Sequence, residues 1–179
     1  MTTTKHELRA LIAARKREYS SEVKKKKSEQ IIKKLIETDE YKNARSILCY
    51  WSMSDEVQTH DFIVKAAQEK RVFLPVVAGD ILLIREFFEI KNLTKGSSFS
   101  ILEPDENANE IGLNQIDLVV VPGIAFDLNG GRLGRGKGFY DKLLTTANVC
   151  KIGICFDFQL MEDVPKDEFD VLMNKVIFG

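Results

Sequence analysis

The stretch from Pro122 to Leu144, PGIAFDLNGGRLGRGKGFYDKLL, constrains this chain more than any other. Six of the eleven glycines fall between Gly123 and Gly138, together with Arg132, Arg135 and Lys137. Lacking a Cβ, glycine lets backbone N–H groups come close to a ligand. Three cations on one loop favour a polyanion, of which phosphate is the commonest. An apolar run from Asp117 to Pro122 precedes the loop, and a helix-like run from Gly138 to Ala147 follows it. Strand, glycine loop, helix is a layout that turns unpaired helix N–H groups toward an anion. A merely solvated loop would crowd like charges, which repel by ~4 kcal/mol at ~4 Å and an effective dielectric of ~20.

The rest of the chain supplies a frame for that loop. Thr4-Lys5-His6-Glu7 reads as a capping box, and Leu8, Leu11 and Ile12 follow at helical spacing, predicting a helix over 5–18. Ser20 or Ser21 opens a second helix to about Glu37. Strands are predicted over 46–51, 72–77, 81–88, 117–121, 149–156 and 171–178, with a hairpin turn at Ala78-Gly79-Asp80. Thr59 is predicted to cap a helix through Lys70, and the turn-rich residues 93–115 are left without an assignment. Helices alternating with fully apolar strands point to one α/β domain over 1–179, its sheet mostly parallel and covered on both faces. Ligands bind such sheets at the carboxyl ends of the strands, so three loops are expected on one rim: 52–59, 123–138 and 157–170.

Charge narrows the function. The net charge is −1, but residues 1–45 carry +6 and the remainder −7. The run Lys24–Lys27 could touch nucleic acid, but it has no interleaved aromatic residues and reads as a solvated helix face. A nucleic-acid binder would also leave the glycine loop unexplained. No apolar run approaches the ~18 residues of a spanning helix, and the Lys/Arg-rich start lacks the apolar core of a signal peptide. Cys49, Cys150 and Cys155 lie in apolar runs and read as reduced core thiols. A cytoplasmic protein, with no membrane or nucleic-acid partner, is expected.

The chemistry is read from what the loop is not. Gly131 to Lys137 satisfies G-x-x-x-x-G-K, yet Gly138 stands where a phosphate loop needs Ser or Thr for magnesium. Asp141, four residues past Lys137, could supply a metal ligand instead, or merely complement the helix N-terminus. With only His6 and His60 in the chain, each opening a helix, no serine–histidine or cysteine–histidine pair is visible. Phosphoryl transfer remains, because positioning and charge neutralisation carry most of it. Lys5 and Arg9 share one helix face and could close over the same phosphates. Trp51, Met53, Phe139 and Tyr140 fit either the core or a stacked heteroaromatic ring, and Glu56 could read the donor edge of such a ring.

These residues fall in a familiar order. Pro122-Gly-x-x-Phe126-Asp127, then Asn129-Gly-x-Arg-Leu-Gly-Arg-Gly-Lys-Gly-Phe-Tyr-Asp141, resembles the 5-formyltetrahydrofolate cyclo-ligase (5,10-methenyltetrahydrofolate synthetase) family. Lys5-x-x-x-Arg9, Met53-Ser-Asp-Glu56-Val-x-Thr59 and Val164-Pro165 to Asp170 extend the resemblance over nearly the whole chain. It implies conversion of 5-formyltetrahydrofolate to 5,10-methenyltetrahydrofolate, with ATP giving ADP and phosphate and with Mg2+ required. The formyl oxygen would attack the γ-phosphoryl group, and N10 would then close the ring as phosphate leaves. ATP contacts would fall on Lys5, Arg9, Arg132, Leu133, Gly134, Arg135, Gly136, Lys137, Gly138, Phe139 and Tyr140. Folate contacts would fall on Trp51, Met53, Glu56 and the loop from Arg135 through Gly136, Lys137 and Gly138 to Phe139. Lys137 and Arg135 would face the transferring phosphoryl, and Asp141 and Asp170 would hold the magnesium. The implied architecture is a three-layer α/β/α sandwich like that of ribose-phosphate isomerases and CoA transferases; a monomer is expected. The substrate's polyglutamate tail would suit the basic N-terminal helices. Three positions depart from the family pattern: Phe169 replaces a histidine, Asn174 an aspartate, and Trp51 a smaller apolar residue.

Overall fold

The computed structural model describes residues 4–96 and 101–179. Its elements run α1 (Lys5–Arg17), α2 (Ser21–Ile36), α3 (Asp39–Asn43), β1 (Ser46–Leu48), α4 (His60–Ala66), β2 (Arg71–Ala78) and β3 (Ile81–Phe87). There follow β4 (Leu93–Lys95), β5 (Leu102–Pro104), β6 (Glu110–Ile111), β7 (Leu118–Val121), β8 (Ala125–Asp127) and β9 (Arg132–Leu133). The last elements are α5 (Phe139–Leu144), β10 (Cys150–Cys155), β11 (Leu160–Met161) and β12 (Lys175–Phe178).

Seven strands form the main sheet in the order β12-β10-β7-β1-β2-β3-β6. The pairs β12–β10, β10–β7, β7–β1 and β1–β2 are parallel, while β2–β3 and β3–β6 are antiparallel. The fold is therefore mixed α/β with a large, mostly parallel sheet. Alternation on the central strands shows how both faces are covered. Ile47, Leu118, Val120 and Ile152 share a core with Ile31 and Leu35 of α2 and with Phe62 and Ile63 of α4. Leu48, Val119, Val121 and Cys155 share another with Phe126 and with Leu143 and Leu144 of α5. A strand buried on both sides needs the unbroken apolar run that 118–121 provides.

The capping box forms as expected: the Thr4 hydroxyl accepts from Glu7 N–H, and the Glu7 carboxylate accepts from Thr4 N–H. Ser20 caps α2. Thr59 does not cap α4 with its side chain. Its hydroxyl donates to Tyr50 O at 2.6 Å and accepts from Ser52 N–H at 3.2 Å, closing the neck of the 52–59 loop. Several predicted spans shorten: α4 ends at Ala66, α5 at Leu144, β1 at Leu48, and β12 begins only at Lys175. Cys49 and Cys155 are buried, Cys150 is half-buried, and all three are free thiols. Burial pushes the Cys155 thiol up to about 12. Among the described residues no helix is long and apolar enough to cross a membrane.

Candidate active site

The glycine loop is two structures in sequence. Its first part is anchored. Gly123 has no room for a side chain, since a Cβ there would stand 2.6 Å from the Phe126 ring. Asp127 ends β8 fully buried. Its Oδ1 accepts from Asn129 N–H at 2.9 Å and Gly131 N–H at 2.8 Å. Its Oδ2 accepts from Val164 N–H at 2.9 Å and Lys166 Nζ at 3.3 Å. Burial alone would push this carboxyl up, but these donors outweigh it and hold the group below the usual carboxylate range. One side chain thus shapes the turn and ties it to the 164–166 segment.

The second part is open. Gly136 and Gly138 adopt φ of +97° and +68°, the left-handed region that other residues rarely enter. Arg135, Gly136, Lys137 and Gly138 are exposed. Among the described residues the Lys137 ammonium has no ion-pair partner.

Below this tip lies a cavity of about 350 Å³. Its lining is of two kinds. Lys5, Arg9, Arg132 and Gly134 to Lys137 make it cationic, with Asp141 and Asp170 beside them. Tyr50, Trp51, Met53, Pro75, Val77, Leu82 and Ile101 make it apolar, with Glu56 and Glu103 among them. Leu133, Gly138, Phe139 and Tyr140 also line it. Every site residue expected from the sequence therefore falls on one surface, fed by the loops after β1, β7 and β10. A pocket that joins an anion cradle to an apolar wall accommodates an anionic and an aromatic group together.

Ion pairs cross the cavity mouth. Lys5 Nζ donates to Asp170 Oδ2 and, at 2.7 Å, to Asp167 Oδ2. Burial pushes the Asp170 carboxyl up, but the Lys5 ammonium and the Asp167 N–H prevail and hold it below its ordinary value. Arg9 Nε donates to Gly134 O at 3.0 Å, bringing α1 onto the loop. Arg132 donates to Asp141 Oδ2 at 2.8 Å, while its buried Nε has no partner among the described residues. Arg135 bridges Asp55 Oδ1 at 2.8 Å and Glu56 Oε1 at 3.1 Å, and Lys16 holds the other Asp55 oxygen at 2.9 Å. Glu56 Oε2 accepts from Met53 N–H at 2.9 Å.

Asp141 and Asp170 suit magnesium in kind. Both are hard oxygen donors on the cavity wall, and Asp170 Oδ1 has no donor among the described residues. Mg2+ is commonly bound by one or two carboxylates plus phosphate oxygens and water. Among the described residues no cluster of three or more His, Cys, Asp or Glu forms a self-sufficient metal site. A magnesium ion held by these two carboxylates would need its other oxygens from phosphate or water. Asn174 adds nothing to it, because its Oδ1 accepts from Lys151 N–H at 2.8 Å and joins the loop to β10. Phe169 is 79% exposed.

Sequence reasoning missed several neighbours of the site. Asp55 and Asp167 hold Arg135 and Lys5, and nothing in their local pattern signals partners so distant in sequence. His60, read as an ordinary helix opener, stacks under Trp51 with ring centroids 4.1 Å apart. Its Nε2 carries the proton donated to Ser52 O, since a carbonyl only accepts. Glu103 lay in the unassigned stretch and proves to be a cavity residue.

A model of the 5-formyltetrahydrofolate cyclo-ligase family matches residues 1–179. The chain belongs to that family. The mouse 5-formyltetrahydrofolate cyclo-ligase is 29% identical over 193 residues, covering 99% of this chain and 95% of the mouse protein. The Haemophilus influenzae enzyme is 32% identical over 148 residues, covering 78% of this chain and 79% of its own. The NMR structure of the Aquifex aeolicus 5,10-methenyltetrahydrofolate synthetase superimposes with a TM-score of 0.88 at 31% identity, covering 98% of this chain and 90% of that one. Membership makes the chain an enzyme of the cyclo-ligase class, acting on a small-molecule folate. A cavity with one cationic and one apolar lining is what such a family has to provide.

Proposed function

We propose that this cavity carries out the family's reaction, ATP-dependent conversion of 5-formyltetrahydrofolate to 5,10-methenyltetrahydrofolate. The observation that supports it is the single surface on which the cation-rich glycine loop and the apolar wall meet. ATP lies against Lys5, Arg9 and the run from Arg132 to Tyr140, its phosphates cradled by loop N–H groups. The folate lies against Trp51, Met53 and Glu56, and against the loop from Arg135 to Phe139. Asp141 and Asp170 would hold Mg2+, which would neutralise phosphate charge.

Lys137 and Arg135 act where charge develops. The formyl oxygen attacks the γ-phosphoryl group, and Lys137 faces the oxygens that carry the negative charge. N10 then attacks the activated carbon and gives up its proton to solvent, the ring closes, and phosphate departs with the former formyl oxygen. Lys5 and Arg135 must exchange their carboxylate partners for substrate during the cycle. No histidine or cysteine nucleophile is required, in keeping with their poverty in the cavity lining.

The finer architecture is read as a three-layer α/β/α sandwich of the ribose-phosphate isomerase and CoA transferase type. The chain is read as one monomeric, cytoplasmic domain with no nucleic-acid partner, and scattering in solution would check the monomer. The deciding experiment for the function is optical. The methenyl product has a near-ultraviolet band that the formyl substrate lacks. A rise in that band requiring both ATP and Mg2+ is expected. Its absence, with ATP and folate still bound, would leave a binding protein without turnover.

A further inference from the structure

Glu103 is a buried carboxylate at a ligand site that no role yet uses. It lies on β5 and is 6% exposed, yet it lines the cavity beside Val77, Leu82 and Ile101. Its Oε1 accepts from Val77 N–H at 3.2 Å. Its Oε2 has no donor among the described residues, and no Lys or Arg there stands within ion-pair distance of either oxygen. A carboxylate so far from bulk water gains from further donors on the cavity side. Burial raises its pKa above the ordinary glutamate value, the Val77 N–H opposing this and the charge of Arg85 adding a smaller downward pull.

The fold makes room for this carboxylate. Gly96, on the partner side of the β4–β5 hairpin, could carry no Cβ without striking the Glu103 carboxyl group. Glu56 differs. Both of its oxygens are engaged, by Arg135 and by Met53 N–H. Among the described residues Glu103 has one hydrogen-bond donor across its two oxygens, where Glu56 has two.

We propose that Glu103 determines specificity at the apolar wall by accepting the 2-amino group and adjacent ring N–H of the substrate's pteridine. The assignment rests on the reading that this cavity holds a folate. The chemistry is matched in kind, because two parallel N–H donors fit one carboxylate and a flat ring fits the surrounding apolar side chains. A site built to bond donors rejects an analogue that lacks them, since its own buried group is then left unpaired. ATP, held by the cationic lining, is indifferent to Glu103.

The test compares 5-formyltetrahydrofolate with its 2-desamino analogue in wild type and in Glu103→Gln. The variant keeps the shape of the side chain and an oxygen for Val77 N–H. Wild type should prefer the natural substrate by about 10- to 100-fold in kcat/KM, the scale of a charge-assisted hydrogen bond. Glu103→Gln should lose most of that preference by raising KM for the natural folate, with KM for ATP within about twofold. Glu103→Ala, checked for its thermal midpoint, should discriminate no better than Glu103→Gln. Equal losses on both substrates, or an undiminished preference in the variant, would overturn the assignment and leave Glu103 a packing residue. A wild type that turns over neither substrate would instead overturn the cyclo-ligase reading, and this inference with it.

Discussion

The two parts of the glycine loop use the same residue for opposite reasons. From Gly123 to Leu133, glycines occur where a side chain would collide: Gly123 against Phe126, Gly130 against the Met173 carbonyl, Gly131 against the Asp127 carboxylate. From Gly134 to Gly138 there is more space. A Cβ on Gly138 would meet nothing within 4 Å, yet the φ of that residue is +68°. The first part is glycine-rich because it is packed. In the second, Gly136 and Gly138 bend the backbone the wrong way for a side chain, as Gly130 alone does in the first. If the packed part serves the fold and the open part the proposed ligands, the two should fail differently.

Lys137→Ala tests the open part most severely. A fall in kcat of about 10²- to 10³-fold is expected, the scale for removing one preorganised donor at developing charge. Its thermal midpoint should stay at the wild-type value, because the exposed ammonium has no partner among the described residues. Wild-type turnover would remove Lys137 from the phosphoryl end.

Asp127→Ala tests the anchored part. Loss of about 3 kcal/mol of stability is expected, as buried N–H groups of Gly131 and Val164 lose their acceptor. Denaturant titration measures it. The pH dependence has a definite sign. The folded-state pKa of Asp127 is depressed, so its contribution is present above the unfolded value of ~4 and is lost as pH falls through the folded value. Asp127→Asn should flatten that acid limb. An unchanged limb would mean that other carboxylates carry the acid sensitivity.

Gly138→Ala should cost less stability than Asp127→Ala, about 1 kcal/mol for a left-handed residue gaining a Cβ. Its effect on KM for ATP should exceed its effect on the melting temperature. A collapse of the fold instead would erase the distinction between the two parts.

Sequence made the anchored frame and the loop legible for physical reasons. The run 118–121 is apolar without interruption because both its faces are covered, and the Thr4–Glu7 box announces α1 because capping is local. What stayed illegible was non-local or short. Strands of two or three residues, such as β4, β5 and β6, have too few positions for a period of two to register. That hid Glu103. Thr59 looked like a cap because Ser, Thr, Asp and Asn all do, but its hydroxyl turned back to Tyr50. Asp55 and Asp167 matter through partners 80 and 162 residues away. The site residues that the family resemblance names do share one cavity, and the substitutions above test their individual roles.

The Lys5 ion pair has a consequence for how the protein comes into being. Lys5 and Asp170 are 165 residues apart, and both line the cavity. During synthesis the N-terminal helix must wait, its cation unpaired, until nearly the whole chain has emerged. An incomplete chain can build its first helices and strands, but it cannot make the ion pair that spans this side of the cavity.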